Sequence, residues 1–157
     1  FCPGYRIGWV GADERIIEKL VLIKQSTDLQ CNTLAQRDIA KYLELFDIDA
    51  HIAKIRAVYK KRRDLAYATM KEAFPKEARF AKPEGGLFMW VELPGYLAGQ
   101  EILEQCLEHN VAFVPGGPFF PNGGHDNTFR INFSNMPEDR IVQGLTIIGE
   151  VLRANVK

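Results

Sequence analysis

Apolar residues recur at helical spacing through the first half of the chain and alternate with polar ones at several places in the second. Ile16, Ile17, Leu20, Val21 and Ile23 predict a helix running to about Lys24, with Asp13 as its N-cap. The polar stretch QSTDLQCNT, Gln25 to Thr33, lacks any period and predicts a loop or a helix boundary. Leu34, Ala35, Ile39, Tyr42, Leu43 and Phe46 predict a second helix. Asp47 or Asp49 then caps a longer third helix, His51 to Phe74, with an apolar stripe of Ile52, Ile55, Tyr59, Ala66, Met70 and Ala73. Pro75 ends it. Its Lys60-Lys61-Arg62-Arg63 run reads as the solvated face of a long helix, diluted by Asp64 and Glu72.

The pattern then changes. Short strands are predicted at Arg79 to Ala81, Leu87 to Glu92, Val111 to Val114 and Thr128 to Phe133, with Pro83-Glu84-Gly85-Gly86 as a turn between the first two. Helices are predicted at Gln100 to His109 and Glu138 to Arg153. The fold class expected is α/β, with residues 47–157 forming an α+β domain whose helices cover a small, mostly antiparallel sheet. Residues 1–46 read as the end of a different unit. No internal repeats or low-complexity tracts interrupt the chain.

Two arginines break the apolar patterns. In PGYRIGW, Pro3 to Trp9, the residues Tyr5 to Val10 suit a strand, which places Arg6, Gly8 and Val10 on one face. A buried guanidinium there needs a partner, and Gly8 removes bulk beside it. An anion meets both needs, and snorkelling of Arg6 to solvent is the plainer alternative. In TFRINF, Thr128 to Phe133, the residues Phe129, Ile131 and Phe133 face one way and Arg130 and Asn132 the other. Just upstream lies PGGPFFPNGGHDN, Pro115 to Asn127, a loop with three Pro and four Gly that is long enough to be functional or mobile. Arg130 therefore either grips a carboxylate ligand with its planar fork or pairs internally with an acid such as Glu92.

Other candidates carry less. His125 in the loop is a possible acid–base group, while His51 and His109 sit near helix ends, where histidines often serve as caps. With no HExxH and no clustered Cys and His, no metal is expected; Ser134 has no evident base, and GxSxG and the glycine spacings of phosphate loops are absent. Composition removes some partners. The 20 basic and 20 acidic residues cancel, which gives no reason to expect nucleic acid, and no apolar run reaches the ~20 residues of a membrane span. Cys2, Cys31 and Cys106, an odd set without CxxC spacing, suggest reduced thiols and a cytoplasmic protein. A chain that starts at Phe1 directly with a predicted strand reads as a fragment of something longer.

PGYRIGW resembles the PG-x-R-x-GW segment of class I/II pyridoxal phosphate (PLP) aminotransferases of fold type I. Three further blocks match in order: KPEGGLFMWVELP (Lys82 to Pro94), NVAFVPGGPFF (Asn110 to Phe120) and NTFRINFSN (Asn127 to Asn135). The resemblance spans nearly the whole chain and is nearest to the aromatic, aminoadipate and branched-chain branch. It implies that residues 1–46 end the large PLP-binding domain and residues 47–157 form the small C-terminal domain. It implies that Arg6 binds the cofactor phosphate, that Arg130 binds the substrate α-carboxylate, and that Asp28 to Thr33 lies at the interface of a homodimer. The reaction implied is transfer of an amino group between an amino acid and a 2-oxo acid, with PLP as electron sink. In this family an S-x-S-K stretch carries the catalytic lysine, which by position falls two residues before Phe1. The aspartate that pairs with the cofactor nitrogen and the aromatic that stacks on its ring fall further upstream. No catalytic residue is thus expected in this chain, and the chain alone is expected to be inactive. Met136 departs from the helix-capping Ser common in relatives. Two other readings stay open: an aminotransferase-like effector domain of a winged-helix transcription regulator, and a binding or dimerisation fragment without chemistry.

Overall fold

A computed structural model describes residues 2–157. They fall into two compact units, one ending at Ile52 and the other spanning Ala53–Lys157.

The first unit is helical. Asp13 caps α1 (Glu14–Thr27), its carboxylate accepting from the Arg15 backbone N–H at 3.1 Å. The helix continues three residues past the expected end, and the Ser26 and Thr27 hydroxyls both donate to the Ile23 carbonyl. Asn32 caps α2 (Thr33–Leu45), accepting from the Ala35 N–H at 3.1 Å. Asp47 starts α3 (Ile48–Ala73), accepting from the N–H groups of Asp49 and Ala50 at 2.9 and 3.0 Å. Much of the apolar side of α1 finds no cover within the unit: Ile17 is half-buried, but Ile16, Leu20 and Ile23, spaced along one face, are all exposed.

One expectation fails here. Tyr5 to Val10 is not a strand. Pro3–Tyr5 make a single 3₁₀ turn, Arg6 adopts a left-handed φ of 55°, and residues 7–13 have no regular structure. A strand needs a neighbour to take its N–H and C=O groups, and the first unit contains no other strand among the described residues. The alternation that put Arg6 and Gly8 on one strand face therefore does not apply in this structure.

The second unit is the expected helix-covered sheet. Strands β1 (Arg79–Phe80), β2 (Phe88–Glu92), β3 (Val114–Pro115) and β4 (Thr128–Asn132) are antiparallel in the order β1-β2-β4-β3. Between β2 and β3 runs α4 (Gly99–Glu108), and α5 (Glu138–Asn155) follows β4. Alternation along β2 buries Met89 and Val91 and leaves Phe88, Trp90 and Glu92 outward. With Phe129, Ile131 and Phe133 these inward residues meet Ala66, Met70 and Ala73 of α3, Ile102 and Cys106 of α4, and Ile141, Leu145, Ile148 and Leu152 of α5. Strand β3 starts later than its apolar run suggests. The Val111 N–H is still engaged with the Cys106 carbonyl at 3.0 Å, closing α4 through a left-handed Asn110, so the ladder with β4 begins only at Val114.

Candidate functional site

The outer face of the sheet carries a charged centre in an aromatic surround. Arg130 lies opposite Trp90 on β2 and Val114 on β3. Its Cζ atom is 4.0 Å from the centre of the Phe88 ring and 4.5 Å from that of Phe119. Nε is buried and makes no hydrogen bond, and no ion pair of this arginine exists among the described residues. A buried donor without an acceptor costs about 1–3 kcal/mol, so such an atom marks a place where an acceptor is due. The internal partner Glu92 is not engaged: it stands opposite Thr128, diagonal to Arg130 on the same face, and makes no ion pair with it among the described residues. The cation leans on rings instead.

The loop between β3 and β4 frames this centre. Gly116 donates to the Thr128 carbonyl at 2.7 Å, and a side chain on Gly116 would overlap the Thr128 hydroxyl, so only glycine permits this approach. The loop then makes a 3₁₀ turn, Gly117–Phe119, and presents Phe119 and Phe120 to Trp90 with ring centres 5.8 and 6.0 Å away. His125, at φ 59°, stacks on Phe120 at 4.1 Å, and its carbonyl accepts from the Thr128 hydroxyl at 2.6 Å. This places His125 as part of the loop scaffold. Asn132, outward on β4 like Arg130, accepts through Oδ1 from the N–H and hydroxyl of Ser134, which leaves its own N–H₂ for the site. The Ser134 hydroxyl donates to Asn132 at 2.9 Å and has no base beside it among the described residues.

Sequence reasoning singled out Arg130, the loop and Asn132 but missed Phe88 and Phe119. For Phe88 the signal was present in Phe88-Met89-Trp90-Val91, whose alternation sends two aromatic rings to the arginine's face.

Arg6 is exposed in the first unit; among the described residues its guanidinium makes one hydrogen bond, Nη1 to the Pro3 carbonyl at 3.3 Å, and its backbone N–H donates to the same carbonyl at 3.2 Å. A side chain at Gly8 would meet nothing within 4 Å. One guanidinium with free donors in open space fits a phosphate as a single arm, and the described residues build no closed cradle around it. At 28–33 the chain turns through Leu29 at φ 60°, and the Lys24 ammonium bridges the Asp28 carboxylate at 2.7 Å and Cys31 Sγ at 3.4 Å. These contacts raise the Lys24 pKa, the Asp28 hydrogen bond contributing most. His51 lies in the first turn of α3, and His109 closes α4. Among the described residues no cluster of His, Cys, Asp or Glu could hold a metal, and no helix is long and apolar enough to cross a membrane.

Residues 2–148 match the family described as Aminotransferase class I and II. The chain belongs to that family. Aromatic-amino-acid aminotransferase 1 of Thermococcus litoralis is 40% identical over 155 residues, which is 99% of this chain and 37% of that protein. Among solved structures, LysN, an α-aminoadipate aminotransferase of Thermus thermophilus complexed with N-(5′-phosphopyridoxyl)-L-leucine, superposes with a TM-score of 0.84 at 35% identity, over 97% of this chain and 39% of LysN. Weaker similarity, 28% over 153 residues, covers 96% of this chain and 32% of an uncharacterized helix-turn-helix transcriptional regulator of Escherichia coli. The chain thus spans under two fifths of each of these two aminotransferases.

Proposed function

We propose that this chain is the C-terminal part of a PLP-dependent aminotransferase that moves an amino group between an amino acid and a 2-oxo acid. The observation that carries the reading is Arg130, a planar cation with a buried, unpaired Nε on an aromatic sheet face, in a chain of this family. The enzyme reading is preferred to the regulator reading because similarity to the aminotransferases is higher, 40% against 28%.

In this reading Arg130 grips the substrate α-carboxylate with paired N–H donors, and the Asn132 amide is placed on the same face to assist. Arg6 donates to the cofactor phosphate as one arm of a site whose other groups belong to the rest of the protein. PLP, when bound, supplies the conjugated ring that draws electrons from the bonds at the substrate Cα. The two arginines contribute anchorage: with both ends of the reacting assembly held, the Cα–H bond is presented to a base in one orientation. The 157 residues contain no S-x-S-K stretch, so no residue here is assigned the proton transfer. A homodimer with Asp28 to Thr33 at its interface is part of the proposal. The exposed apolar face of α1 suits burial against further protein. The cytoplasm is the proposed compartment, in keeping with three unpaired thiols.

The test is amino transfer measured twice, with PLP, an amino acid and 2-oxoglutarate. The complete protein should form product, and the 157-residue chain should not exceed a PLP blank. Turnover by the isolated chain, or none by the complete protein with any amino acid offered, would overturn the proposal.

A further inference from the structure

We propose that Phe119 and Phe88 are positioning residues for Arg130, and that the loop Pro115 to Asn127 acts on carboxylate binding through Phe119; this rests on Arg130 being the carboxylate site. The two rings come from different elements. Phe88 is on β2, fixed by the ladder to β4, whereas Phe119 ends the 3₁₀ turn of the loop. Both touch the guanidinium, at 4.0 and 4.5 Å, and neither can accept a conventional hydrogen bond. They therefore attract the cation while leaving its N–H edge unspent. An acid in either place would compete with the ligand, and an aliphatic residue would lose the attraction of the ring face. The buried, unpaired Nε is the counterpart: the donor is kept dry and free.

The loop is built to hold its ring there. Gly116 is tied to Thr128 and Phe119 N–H bonds the Gly116 carbonyl at 2.9 Å, so Phe119 sits one short turn from an anchor on β4 itself. A Cβ at Gly117 would come within 2.6 Å of the Asp126 carboxylate, which would have to swing aside, and Phe120 stacks on His125 at the far side of the loop. Arg130 and the ring that holds it are thus connected through the first residue of its own strand.

The experiment uses the full 157-residue chain labelled with ¹⁵N, following the Arg130 Nε–Hε resonance by NMR. Arg130→Lys identifies the peak by removing it. The probe is sodium acetate, with sodium chloride at equal ionic strength as control. In the native chain the Nε–Hε proton should exchange slowly with water and shift on adding acetate. Phe119→Leu should leave the backbone spectrum of β2 and β4 intact, speed that exchange at least tenfold, and weaken acetate about 3- to 30-fold. Phe119→Tyr, which keeps a ring face, should restore both. A Leu variant with native exchange and native acetate affinity overturns the positioning role alone. Tyr failing as badly as Leu also overturns it, since the ring face is then not what matters. No acetate response in the native chain overturns the carboxylate reading and this inference with it.

Discussion

The Cζ atom of Arg130 lies 4.0 Å from the centre of the Phe88 ring, and no acid pairs with it among the described residues. An arginine held this way keeps its planar fork unspent, as the proposed carboxylate site requires. Lysine preserves the charge but offers a point donor in place of the fork. In the complete protein, Arg130→Lys should lower kcat/KM for amino acids about 10- to 100-fold, from about 1.5–3 kcal/mol for a charge-assisted hydrogen bond. PLP absorbance retained after dialysis should stay near normal. Arg6→Ala should do the reverse, losing PLP first. A lysine variant that sheds cofactor while keeping substrate affinity would show the two assignments to be exchanged.

Gly149 on α5 sits against the carbonyl of Ala73 at the end of α3, and the Arg153 guanidinium donates to that same carbonyl. Alanine is the better helix former by about 1 kcal/mol, which alone would stabilise α5. Here the added methyl would strike backbone that cannot rotate away, and overpacking costs about 1–3 kcal/mol. Gly149→Ala should therefore lower stability, by up to about 2 kcal/mol net, read as a lower urea midpoint at unchanged m-value. A raised midpoint would mean that the two helices separate easily.

Much of the second unit was legible because its elements are set by local rules. The alternation Phe129, Ile131, Phe133 against Arg130 and Asn132 is visible in the sequence and holds in the structure, with Phe129 at 0% exposed. The capping roles of Asp13 and Asp47 were equally local. Tyr5 to Val10 failed for the opposite reason: its residues favour a strand, but a strand exists only through a neighbour, and propensity does not supply one. Likewise Phe119 gave no sign of its partner. Its contact with Arg130 depends on how the loop folds back between Gly116 and Thr128, which no period records.

Phe129 stacks on Phe113 with ring centres 4.3 Å apart and an interplanar angle of 30°, in the middle of the buried cluster. It also stands next to Arg130, facing the other way. Phe129→Ala should cost about 3–5 kcal/mol, enough to unfold a marginal domain. Phe129→Leu, which keeps most of the volume, should fold at a modest loss and leave the acetate response of Arg130 in place. Loss of that response in a folded Leu variant would mean that the site depends on core packing and not only on Phe88 and Phe119.

Cys106 on α4 is fully buried, and burial pushes its thiol up to about 11 from an ordinary value near 9. Its neutral form is the one that fits the core. Between pH 9 and 11 the unfolded chain gives up this proton and the folded chain keeps it, so the unfolded state binds fewer protons and stability falls as pH rises. Below pH 9 both states hold the proton, and Cys106 adds no slope. Urea midpoints taken from pH 7 to 11 should fall more steeply above pH 9 in the native chain than in Cys106→Ala. The alanine variant will be less stable throughout because of the cavity it leaves, but that offset does not vary with pH. In the folded chain at pH 8.5, iodoacetamide should label exposed Cys2 quickly and spare Cys106. Equal slopes for the two chains, or early labelling of Cys106, would show that water reaches this part of the core.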